Sequence, residues 1–173
     1  MSERQPSGTV NLDIYGHPPL EWRRARDLLA ASTNRVDIPF FLGTAGPDGR
    51  PHSAGIGALW NEGDFFIVSG PHTRKSRDLA TNPSCTISAR LEGMDLVFDG
   101  EAARVVDKPT LERAAALFRE GGWPAEVDGD SFTAPYSAPS AGPPPWYLYR
   151  FVVRTAVGVA SAEPHGATRW TFG

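Results

Sequence analysis

Cysteine is almost missing: Cys85 is the only one in 173 residues. A single thiol can close no internal disulfide and build no cysteine-rich metal site. It stands in the apolar run Cys85-Thr86-Ile87, the setting of a small buried hydrophobe rather than a nucleophile. No apolar stretch is long enough to span a bilayer, and the opening MSERQPSGT has no apolar signal core, so a cytoplasmic chain is expected. An excess of positive charge is also missing. The 17 Lys plus Arg against 20 Asp plus Glu leave a net charge of -3, which argues against broad binding to nucleic acid or anionic membranes but leaves room for a local basic pocket. The four histidines, His17, His52, His72 and His165, are scattered and form no His-x-x-x-His word. Gly-x-Ser-x-Gly and paired-carboxylate words are absent as well. The sequence therefore names no catalytic side chain and no metal site.

What is present reads as one domain over residues 1–173, with residues 1–19 a mobile or draped N-terminal arm. Leu20 to Ala31 predicts a helix, with Leu20, Trp22, Ala25, Leu28 and Leu29 on one face. Val36 to Ala45 predicts a strand, Gly46-Pro47-Asp48-Gly49 a turn, and Arg50 to Trp60 the returning strand. Gly55 and Gly57 in that strand fit either close approach by a ligand or backbone, or a barrel bend. Further strands are predicted over Phe65 to Val68, Ser84 to Leu91, Leu96 to Val106, Trp146 to Ala160 and Thr168 to Phe172. Lys108 to Glu120 predicts a helix that Gly121-Gly122 ends. The Pro- and Gly-rich stretch Trp123 to Pro145 holds Trp123, Phe132 and Tyr136, and is expected to be an ordered loop over a cleft or subunit contact.

The most informative stretch is FFIVSGPHTRKSRDLATNP, Phe65 to Pro83. An apolar strand breaks at Ser69-Gly70-Pro71, and a short helix runs from Thr73 to Asn82-Pro83. Thr73 is the expected N-cap. Arg74 and Lys75 then fall in the first turn, where the helix dipole is already positive and cations are misplaced. A bound anion reverses that sign. It would draw free amides, two cations and the hydroxyls of Thr73 and Ser76 onto one phosphate; a solvated basic turn is the other reading. His72 adjoins the turn and could add charge to it.

The order of elements, with the words PDGRPHSAGIGALW, SGPHTRKSRDLATNP and GEAARV, resembles the pyridoxamine 5'-phosphate oxidase-like family of flavin- and deazaflavin-binding split β-barrels. APSAGPPP and ATRWTF are similar to an actinobacterial subgroup. The resemblance implies a mainly β fold with a few helices, a six-stranded split β-barrel, and a homodimer with two cofactors between the subunits. It carries the phosphate role to Thr73, Arg74, Lys75 and Ser76, with Ser69 beside them. It places His52, Ser53, Gly57 and Ala58 along the ring system, and Arg169 and Trp170 at the cleft. The implied cofactor is FMN, with the deazaflavin F420 as alternative, and the implied activity is hydride transfer to or from a small molecule. The strand reads HSAGIGALW where the namesake oxidase has an arginine–leucine–lysine word, which points away from pyridoxamine phosphate as substrate. Haem binding, or flavin carriage without catalysis, is the alternative outside that class.

Overall fold

The structure, a computed structural model, describes residues 4–32, 39–137 and 141–173. The arm is not loose. It contributes strand β1 (Gly8–Asn11), and Arg4 donates to the carbonyls of Val153 (3.0 Å) and Gly173 (2.7 Å). Helix α1 (Trp22–Ser32) follows, burying Trp22, Ala25 and Leu29, the face that the apolar spacing predicts. Then come β2 (Phe40–Ala45), β3 (Pro51–Ile56), β4 (Ala58–Asn61) and β5 (Asp64–Ser69). The expected strand start at Val36 lies outside the described residues. Helix α2 (Arg74–Thr81) leads to β6 (Ser84–Leu91) and β7 (Met94–Arg104). Helix α3 (Lys108–Glu120), the short strands β8 (Glu126–Asp128) and β9 (Ser131–Thr133), and finally β10 (Tyr147–Ala160) and β11 (Gly166–Thr171) complete the chain.

The returning strand expected over Arg50 to Trp60 is bent at Gly57 into β3 and β4, and that bend closes a barrel. β3 pairs with β2, β2 with β6, β6 with β7, β7 with β10, β10 with β5, and β5 with β4, all antiparallel. Counting β3 and β4 as one bent strand, six strands form the ring. The long β10 divides one edge between two partners: Tyr147 to Phe151 pair with β5, and Thr155 to Ala160 pair with β11. β1 adds to the far side of β11. This mainly β architecture is the split barrel that the resemblance implies.

Alternation fills the interior. In β6, Cys85, Ile87, Ala89 and Leu91 are buried, while Ser84, Thr86, Ser88 and Arg90 alternate with them on the other face. Phe65, Phe98 and Phe151 meet at the centre, ring centroids 5.0 to 6.1 Å apart in edge-to-face pairs. Asp64 is a buried carboxylate held by Arg150 (2.7 Å), by Arg4 (3.4 Å) and by the Val153 amide (3.2 Å), so its charge has partners.

The stretch Trp123 to Pro145 departs from expectation. Part of it is the β8–β9 hairpin, and Trp123 and Phe132 belong to a second core under α3. Phe132 is fully buried against Phe118 and Trp123, and its backbone exchanges hydrogen bonds with Trp146 at 2.7 and 2.9 Å. Burial of that kind is structural: truncating Phe132 to Ala would cost about 3–5 kcal/mol. Among the aromatics named there, Tyr136 alone is exposed.

Candidate functional site

The turn between β5 and α2 is built as its sequence reads. Thr73 caps α2 from an extended backbone (φ -71°, ψ 156°), its Oγ1 accepting the Ser76 amide at 3.3 Å. The hydroxyls are knitted together: Ser69 Oγ lies 2.7 Å from Thr73 Oγ1, Ser76 Oγ lies 3.0 Å from Ser69 Oγ, and Thr73 Oγ1 donates to the Gly70 carbonyl at 2.9 Å. Gly70 is required where it stands, because a Cβ there would run into the Ala141 carbonyl. Tyr149, brought opposite by the β5–β10 pairing, reaches Ser76 with its phenol, and burial raises the Tyr149 pKa.

Charge on this turn is one-sided. No acidic residue stands in the first turn of α2. Lys75 is only 6% exposed, and burial lowers its pKa. Arg74 is half-exposed and meets Asp78 one turn on, at 3.7 Å. Asp78 is itself buried and accepts from Thr44 Oγ1 at 2.8 Å. His72 is exposed, and its carbonyl accepts from Arg77 at 2.6 Å. Arg104 lies across the Tyr147 ring, 3.4 Å from its centroid, and pairs with Asp130 at 2.8 Å.

Thr44 links this turn to a second feature. It lines an open cleft of about 890 Å³ together with Gly43, His52, Ser53, Cys85 and Arg154. Thr44 and His52 are cross-strand partners, and the buried His52 Nδ1 has no hydrogen-bond partner. Burial pushes the Cys85 thiol up to about 12, so it stays protonated at neutral pH. Gly57 sits at the β3–β4 bend, and a Cβ at Gly55 or Gly57 would meet open space, so both the bend and the room for an approaching ligand are real. Ala58 is buried and pairs with Ile67, two residues short of Ser69.

The fold thus gathers Ser69, Thr73, Arg74, Lys75 and Ser76 at one helix end; His52 and Ser53 line the cleft that Thr44 ties to α2 through Asp78, Gly57 sits at the β3–β4 bend, and Ala58 pairs on β5 close to Ser69. It does not gather Arg169 and Trp170. Ser69 pairs with Tyr147 and Arg169 with Val157. Those two β10 positions are about 33 Å of extended strand apart at 3.3 Å per residue. Trp170 is a core residue, 1% exposed, packed on Trp22 with centroids 5.3 Å apart and against the bare Cα of Gly158. Tyr149, Thr44 and Asp78 were missed from sequence. Asp78 had a signal, the i,i+4 spacing from Arg74, whereas Thr44 and Tyr149 arrive only by strand pairing.

A six-strand ring and a β10 shared between two partner strands together define a split-barrel fold. A family model for pyridoxamine 5'-phosphate oxidase matches residues 35–138, and the chain belongs to that family. Three similar crystal or solved structures agree in fold. A pyridoxamine 5'-phosphate oxidase-related, FMN binding protein from Nostoc punctiforme is 17% identical, with a TM-score of 0.58 over 86% of this chain and 88% of its own. A NimC/NimA family protein from Clostridium acetobutylicum is 19% identical, with a TM-score of 0.54 over 85% and 91%. An F420 reductase is 17% identical, with a TM-score of 0.50 over 72% and 93%. No curated protein matches the chain. No helix among the described residues is long and apolar enough to cross a membrane.

Proposed function

We propose that this chain is a flavin-type redox protein whose α2 N-terminus binds the phosphate of FMN. The observation that carries the reading is the cationic first turn of α2. Arg74 and the buried Lys75 stand where the helix dipole is positive, with no acid in that turn. An anion there turns an unfavourable charge arrangement into a favourable one. Open space over Gly55 and Gly57 would let a planar ring lie close to the backbone, with His52 and Ser53 at its edge. Bound there, the flavin would supply the hydride chemistry, and the chain would supply position, a water-poor surface and charge. That division of labour agrees with a site whose only thiol is buried and protonated.

The oxidoreductase reading and a homodimer go together in this proposal. In that dimer Arg169 of one copy would face the cofactor phosphate region of the other, since in its own copy it lies far from the α2 turn along β10. F420 is the second reading. It too carries a phosphate for the α2 turn, and the structural likeness includes an F420 reductase. Arg104 is engaged by Asp130 and Tyr147, which leaves it poorly placed to receive an anionic tail and favours FMN.

The test is a titration of the protein with FMN, riboflavin and F420, repeated on the Arg74→Ala/Lys75→Met variant. Tight FMN binding that the double variant loses, with little change for riboflavin, supports the reading. Equal losses for FMN and riboflavin would show that the pair does not read phosphate.

A further inference from the structure

Arg74 is the exposed member of the cation pair at the start of α2, and little holds it. Among the described residues its guanidinium makes no hydrogen bond. Its close charge is Asp78, one turn on, with Arg74 Nε 3.7 Å from Asp78 Oδ2. That is an ion pair too long for a hydrogen bond, so every N–H of the guanidinium fork stays available to an anion. Asp78, by contrast, is fixed. It is 5% exposed, and the buried Thr44 donates from Oγ1 to the same Oδ2 at 2.8 Å. Gly46, just past the end of β2, lies against the other oxygen: a Cβ there would sit 3.5 Å from Asp78 Oδ1. The carboxylate is wedged between α2 and the end of β2.

Stability does not account for this acid. An arginine followed four residues later by an acid is the weaker orientation of a helical ion pair. Burying a carboxylate beside a guanidinium that stays half in water also costs desolvation that such a pair repays poorly. The hydroxyls of the turn make the aim of Arg74 matter more. Thr73 Oγ1 spends its proton on the Gly70 carbonyl, and Ser76 Oγ spends its own on Ser69 Oγ. Neither has a proton left for a phosphate oxygen. Recognition of an anion then falls to the cations and the helix amides, and the direction of the guanidinium decides how well the anion is met.

We infer that Asp78, pinned by Thr44, is a positioning residue for Arg74: it draws the Nε edge of the guanidinium inward and turns the two terminal nitrogens toward a phosphate at the start of α2. This role rests on the phosphate reading above and names the group that aims its exposed cation. Thr44 also lines the cleft and pairs across the strands with His52, so Thr44, Asp78 and Arg74 tie the cleft wall to the phosphate turn. An acid that merely stood near a phosphate would do the opposite. It would repel the anion, and removing its charge would tighten binding. The two roles differ in sign.

Fluorescence titration of the full chain with FMN and with riboflavin tests the role. Wild type is expected to prefer FMN. Asp78→Asn keeps an oxygen for Thr44 but drops the charge, and should weaken FMN about tenfold and riboflavin less than about twofold. In an Arg74→Ala background the same change should have no further effect, because the side chain it aims is gone. Thr44→Val, which removes the donor, should weaken FMN about threefold, and Thr44→Ser should restore it. Thermal melting of the cofactor-free variants controls for folding, and the two Thr44 variants carry the test if Asp78→Asn does not fold. FMN binding that tightens in Asp78→Asn overturns the role, as does a loss that persists without Arg74 or one that riboflavin shares equally. A wild type that binds FMN no better than riboflavin overturns the phosphate reading and this role with it. A wild type that prefers FMN, with Asp78 and Thr44 variants that match it, overturns this role alone.

Discussion

Helices α2 and α3 begin in nearly the same way and end up with opposite needs. Both caps are extended, Thr73 at φ -71°, ψ 156° and Asp107 at φ -75°, ψ 126°, and each accepts the amide three residues on. Asp107 brings a negative charge to the positive helix end, and the hydrogen bonds from Thr110 hold its carboxyl below the usual 3.8. Its helix is satisfied by its own cap. Thr73 brings no charge, and Arg74 and Lys75 follow it. Lys108 shows that a single cation is tolerated in such a turn, but α2 has two, and one of them is buried. The difference separates a helix end whose positive dipole is offset by its own cap from one that adds two cations, which the proposed phosphate would offset.

Removing the cations should break that contrast most strongly. Arg74→Ala/Lys75→Met is expected to weaken FMN binding by about 2–4 kcal/mol, the scale of charge-assisted hydrogen bonds to phosphate, while riboflavin shifts far less. Fluorescence titration measures both. Giving α2 the cap of α3 is the next test. Thr73→Asp, which trades the hydroxyl's hydrogen bond to Gly70 for a negative charge at the helix end, should lower FMN affinity about tenfold, roughly 1.4 kcal/mol. A Thr73→Asp variant that binds FMN as tightly as wild type would sink the phosphate assignment at this turn.

The converse change sharpens the comparison from the other side. Asp107→Ala should lower stability by denaturant unfolding and leave FMN affinity unchanged. The pH dependences of the two helix ends share a sign but fall in different windows, one acid and one alkaline. Because the folded-state pKa of Asp107 is depressed, its contribution is complete above the unfolded value of 3.8 and is lost as pH falls through the folded value. Lys75 is also depressed, but it is a base. The unfolded chain keeps that proton up to about 10.5, so stability rises as pH climbs from the folded value toward 10.5, and bound phosphate should flatten that rise. Melting curves with and without FMN between neutral pH and pH 10 read this directly. The smallest expected effect is at Cys85. With its thiol near 12 and its side chain buried, it should resist iodoacetamide at pH 8 until the protein unfolds, as mass spectrometry would record.

The three helices and the strands β2 to β7, β10 and β11, the turn at Pro47-Asp48-Gly49, and the cationic start of α2 under a Thr73 cap were legible in the sequence, because each is decided within a few residues by periodicity, turn chemistry or capping, whereas β1, β8 and β9 were not. The family resemblance singled out Trp170, and an aromatic in a Pro- and Gly-rich stretch singled out Phe132, but neither signal could say which surface they would meet. Only the tertiary structure put Trp170 on Trp22, Phe132 against Phe118, and Arg169 a strand's length from Ser69. It alone bent the chain at Gly57 to close the ring and delivered Tyr149 to Ser76 and Thr44 to Asp78. Period and propensity tell which face of an element is apolar. What that face packs on is settled by strand pairing between residues far apart in the chain, and local sequence holds no record of it.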